Sequence, residues 1–104
     1  MKNNEFVNPK NIKLYEDRGP TSRFVSAEIN NSGDLVIFAH DIGEAAKEYT
    51  GRDDYEWYVT VQTQNKDAVI LALIERVFGG KFDASKEFRE WLKEKGIPFD
   101  LFCH

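Results

Sequence analysis

Residues 55–62 carry the strictest pattern in the chain: Tyr55, Trp57, Val59 and Val61 alternate with Glu56, Tyr58, Thr60 and Gln62. Two-residue alternation of aromatic and β-branched side chains with polar ones places the two sets on opposite faces of a half-buried strand. From residue 67 the period changes. Ile70, Leu73, Ile74, Val77 and Phe78 recur at helical spacing, with Asn65 or Asp67 as N-cap and Gly79-Gly80 as the stop. A second helix over 85–95 repeats the design, with a stripe of Phe88, Trp91 and Leu92 and with Asp83 or Ser85 as cap. Lys93 and Lys95 sit where the helix dipole favours cations, and Gly96 and Pro98 end the helix.

Strand signals dominate the first half. A first strand is predicted over 12–18, ended by the turn signal Arg18-Gly19-Pro20. A second runs over 23–30, with Val25, Ala27 and Ile29 on one face, and the Asn-Gly-rich segment 30–34 reads as a hairpin turn. Residues 35–40 are apolar on both faces, as a central strand should be. Asp41 stands three residues before Glu44, the spacing of an acidic capping box. Ile42, Ala45, Ala46 and Tyr49 would then line one face of a short helix ending at Gly51, with Asp41 as its cap. Residues 99–103 read as a closing strand. The expected fold is α+β: an antiparallel β-sheet of four to five strands, two C-terminal helices packed on one face and a short helix after the third strand. A chain of 104 residues fits a single domain spanning 1–104.

Composition excludes several classes of function. The one cysteine, Cys103, rules out an intramolecular disulfide framework, and Met1-Lys2-Asn3-Asn4-Glu5 lacks the apolar core of a signal peptide, so a cytoplasmic location is expected. The longest apolar runs fall far short of the roughly 20 residues that span a bilayer, which argues against a membrane partner. Between residues 28 and 56 eight acids face only Lys47 and Arg52, opposing phosphate binding, so nucleic acid is not an expected partner. A basic protein is.

Chemistry-bearing residues are sparse. His40-Asp41 could bind a metal or act as a general base, but His104 is the only other histidine, too few for a His-Asp phosphohydrolase centre. Cys103-His104 offers two ligands where a tetrahedral zinc needs four, and Gly79-Gly80 lacks the Lys and Ser/Thr of a phosphate loop. No catalytic residue, cofactor or metal is therefore expected. The run Asp53-Asp54-Tyr55-Glu56-Trp57-Tyr58 instead combines carboxylates with large rings. Its plain reading is a solvated strand edge protected from aggregation, with Tyr55 and Trp57 in the core. Its functional reading is a docking surface in which Glu44, Glu48, Asp53, Asp54 and Glu56 steer a basic partner and Tyr58 anchors it.

The segment with Asp41-Ile42-Gly43, Gly51, Asp54-Tyr55-Glu56-Trp57 and Thr60-Val61 resembles a pattern found among small uncharacterised bacterial proteins. That pattern runs Gly-Gln-Asp-(Leu/Ile)-Gly, then Tyr-Glu-(Tyr/Trp), then a leucine-rich helix. Here Ala39-His40 replaces Gly-Gln, so the resemblance assigns no shared activity to His40. Small acidic α+β proteins of this kind also resemble immunity proteins of bacterial toxin systems, including contact-dependent growth inhibition. The resemblance implies a non-enzymatic protein that covers the basic cleft of a cognate toxin, such as a nuclease. Two other readings remain at this stage: a small metal-dependent enzyme or metal-binding protein using His40 and Asp41, with His104, and a homo-oligomeric scaffold, such as a homodimer, pairing through its strand edge.

Overall fold

The computed structural model describes residues 8, 10–44, 47–48, 51 and 54–104. Four antiparallel strands form one sheet in the order β1-β2-β3-β4: β1 Asn11–Arg18, β2 Thr21–Ile29, β3 Leu35–Gly43 and β4 Asp54–Val61. A 3-10 turn, Thr63–Asn65, leads into α1, Lys66–Phe78, and α2, Ala84–Lys95, follows. This is an α+β fold. The chain divides into two compact units, Pro9–Asp67 with the sheet and a helical one that includes Ala68–His104. The division falls inside the first turn of α1.

The sheet is a meander whose register is set by the turn between β2 and β3. Asn30 accepts hydrogen bonds at its Oδ1 from the Ser32 and Asp34 N–H groups at 3.0 and 2.9 Å, and Gly33 takes φ +85°, a conformation that glycine adopts without strain. Pairing then runs outward from Ile29 opposite Leu35 to Thr21 opposite Gly43. The central strand β3 supplies the buried Val36 and Ala39, one on each face, as its two-sided apolar pattern requires. The edge strand β1 carries a bulge between Lys13 and Tyr15, a device that hinders edge-to-edge pairing.

Asp34 clamps this turn to the end of β4. Its Oδ1 accepts from the Thr63 N–H and lies 2.8 Å from the Thr63 hydroxyl. The hydroxyl also lies 3.1 Å from the Ser32 carbonyl, and its single proton serves one acceptor at a time. These bonds, the Thr63 hydroxyl first, hold the Asp34 carboxyl below its ordinary pKa. Because the folded-state pKa is depressed, the clamp's contribution is present above the unfolded carboxyl's pKa and is lost as pH falls through the folded one. Thr63→Val is expected to raise the Asp34 titration midpoint, read by NMR of its carboxyl carbon; an unchanged midpoint would show that the hydroxyl does not bond Asp34.

In the helical unit Phe78 and Leu92 are buried, and the Phe78 ring meets Phe88 edge-on at 5.6 Å. Asp83 occupies the N-cap position of α2 without a side-chain cap bond. Gly96 at φ +71° ends α2 in the left-handed conformation, while Ile97 donates to the Leu92 carbonyl at 2.9 Å. The α1 stripe is not fully enclosed: Ile70, Leu73 and Val77 are about half-exposed and, with Ile74, Phe78 and Trp91, line an apolar groove of about 380 Å³.

Three expectations change. Residues 99–103 form no strand; the segment after Gly96 is irregular, and among the described residues the sheet has four strands. Neither Asn65 nor Asp67 stands alone as an N-cap of α1, since Asn65 closes the 3-10 turn and Asp67 lies inside the first helical turn. Asp41 is not a helix cap, because β3 continues through it to Gly43. The helix expected after β3 falls in part on Ala45, Ala46, Tyr49 and Thr50, which lie outside the described residues; Glu44, Lys47 and Glu48 are helical, and the Gly51 N–H donates to the Lys47 carbonyl at 2.9 Å.

Candidate functional site

Because side chains alternate along a strand, His40 and Asp41 project from opposite faces of the sheet and cannot form one site. Asp41 has no solvent exposure and receives both arms of Arg23, Nε on Oδ1 and Nη2 on Oδ2, each at 2.6 Å. Arg23 is its direct partner across β2 and β3, and the guanidinium also lies 5.6 Å from the centre of the Trp57 ring. Gly43, two residues on, has φ +122°, and a Cβ there would stand 2.5 Å from the Pro20 carbonyl oxygen. Asp41 and Gly43 of the Asp-Ile-Gly run therefore have structural roles: one anchors a buried ion pair and the other permits close strand approach.

The other face holds the candidate site. Asp54, Glu56 and Tyr58 occupy alternate positions of β4 and so form one row, along the sheet edge. His40 lies directly opposite Glu56, and Phe38 opposite Tyr58. The Phe38 ring packs 5.0 Å from Tyr58 and 6.0 Å from His40, placing an aromatic floor beneath the row. Tyr58 remains 61 % exposed, and its hydroxyl donates to Glu56 Oε1 at 3.4 Å. Loss of water around that hydroxyl, then the Glu56 carboxylate, then more distant Glu28, hold its pKa above the ordinary phenol value. Tyr55 and Trp57 are half-buried on the opposite face, as the alternation requires, with ring centres 5.3 Å apart.

His40 Nε2 lies 2.6 Å from Asp54 Oδ1 and 3.7 Å from Glu56 Oε2. An ionised carboxylate only accepts, so the Nε2 proton must point at Asp54. Among the described residues this is the one group of three or more potential metal-ligating side chains whose ligand atoms lie within 4.8 Å of one another.

Of the residues expected to bind a partner, Asp54, Glu56 and Tyr58 thus share one exposed row. Glu44 and Glu48 are exposed beyond the end of β3, and Asp53 lies outside the described residues. Sequence reasoning missed Phe38 and Glu28: both sit on the same face as Tyr58 once the register is known, and neither stands out in a run read as central strand or simple alternation. No protein-family model, curated protein or solved structure matches the chain. No helix among the described residues is long and apolar enough to cross a membrane.

Proposed function

We propose that this is an immunity-type binding protein of the bacterial cytoplasm, which neutralises a cognate toxin by docking the face of β3 and β4 that carries Asp54, Glu56 and Tyr58 over the toxin's basic surface. The observation that carries the reading is the row Asp54, Glu56 and Tyr58, exposed on an edge strand and backed by Phe38. Tyrosine gives a large contact area for little lost side-chain entropy, and the flanking carboxylates accelerate encounter with a positive surface. Glu44 and Glu48 extend the acidic character beyond the strand row. A basic cleft of the kind that holds a nucleic-acid substrate, as in a nuclease toxin, is the complementary partner. The protein works by occupying that cleft, and no turnover is required.

Capture from a lysate of the source bacterium tests this with two baits, the wild type and an Asp54→Lys, Glu56→Lys, Tyr58→Ala variant. A basic toxin-like protein should be retained by the first and lost from the second, while Glu90→Lys with Glu94→Lys on α2 leaves retention unchanged. Equal retention by the wild type and the triple variant would remove the row from the binding surface.

A further inference from the structure

We infer that His40, Asp54 and Glu56 form a binding site for a divalent transition-metal ion, with zinc as its representative. The inference stands apart from the docking reading and requires neither partner nor activity.

The donor set is one imidazole nitrogen and two carboxylate oxygens on adjacent strands. His40 and Glu56 are direct cross-strand partners, Asp54 is two residues along β4 from Glu56, and all three project from one face. Paired strands therefore fix the three Cα positions in advance, so most of the ordering a site needs is already present. The ligand atoms all lie within 4.8 Å of one another. Bonds of roughly 2.0–2.2 Å from a central zinc place its ligands about 3.5 Å apart. The 2.6 Å contact must open and the 3.7 Å one close slightly, movements that the exposed Asp54 and Glu56 carboxylates can make by rotation.

Charge favours the same occupant. Among the described residues neither carboxylate is paired with Lys or Arg, and the imidazole is their shared partner. Two carboxylates converging on one imidazole place three donor atoms where a dication could sit between them. An imidazole ligand selects zinc and its transition-metal neighbours over magnesium or calcium, which prefer all-oxygen shells. Because the ring coordinates through Nε2 as neutral imidazole, metal binding would leave its one proton on Nδ1: a protonated ring would release the Nε2 proton to water, and a ring protonated only at Nε2 would exchange tautomer. Three protein ligands leave at least one position for water.

Zinc titration of the folded protein, followed by calorimetry, tests the site. The expected result is one ion per chain in the wild type, with affinity reduced roughly tenfold or more in His40→Ala and in Asp54→Asn, and unchanged in Cys103→Ser. Circular dichroism verifies the fold of each variant, and Asp54→Asn, which alters an exposed edge side chain, carries the test if His40→Ala does not fold. Three results would each overturn the inference: no binding at millimolar zinc, binding indifferent to the changes at His40 and Asp54, or binding abolished by Cys103→Ser.

Discussion

Arg23→Ala is expected to destabilise the protein by about 3 kcal/mol, while Asp41→Ala costs clearly less, about 1 kcal/mol, although both remove the same ion pair. The asymmetry follows from burial. The Asp41 side chain has no exposure, whereas that of Arg23 is 48 % exposed. Removing the guanidinium takes two short charge-assisted hydrogen bonds from a carboxylate that water does not reach. Removing the carboxylate instead leaves a guanidinium that water reaches and that still lies near the Trp57 ring at 5.6 Å. Urea unfolding of the two variants measures the difference as a shift in midpoint at constant slope. Equal losses, or a larger loss for Asp41→Ala, would mean that the pair is effectively solvated.

Gly43→Ala should cost about 3 kcal/mol, against about 1 kcal/mol for Gly51→Ala, though both glycines have positive φ. At Gly51 a Cβ meets nothing within 4 Å, so only the backbone preference is lost. At Gly43 the same atom would stand 2.5 Å from the Pro20 carbonyl oxygen and 3.0 Å from the Thr21 Cα. Both neighbours are backbone, and relief requires the start of β2 to move away from the end of β3. Thermal unfolding of the two variants ranks the costs. A Gly43→Ala protein melting with the wild type would show that the two strands do not approach as closely as described.

The strands and helices were legible where periodicity was strict. Alternation over 55–62 marked β4, and the glycines at 79, 80 and 96 marked both helix ends, because such signals act within a few residues of the backbone they bend. Asp41 misled because three-residue spacing to Glu44 is compatible with a capping box and also with a strand end followed by a helix. The competing signal was available: counting outward from the turn at 30–34 pairs Ile29 with Leu35 and brings Arg23 opposite Asp41. The continuous β2–β3 ladder, which pairs Thr21 to Ile29 with Gly43 to Leu35, then outweighs a local cap, whose contribution is only about 1 kcal/mol. The segment 99–103 misled for another reason, since a short aromatic-rich run has strand propensity but forms a strand only when an edge accepts it. The convergence of His40 with Asp54 and Glu56 could not be counted from any tight turn. The connection from β3 to β4 spans ten residues, and its register is set by tertiary pairing.

In the proposed function, the exposed row of β4 is the surface through which this protein meets a positively charged partner. Stopped-flow association with the captured partner, measured across ionic strength, tests that most directly. The wild type should associate fast at low salt and slow steeply as salt is added, and Asp54→Lys with Glu56→Lys should be slower by roughly tenfold at low salt and nearly indifferent to it. Identical rates and identical salt dependence in the two proteins would contradict the account.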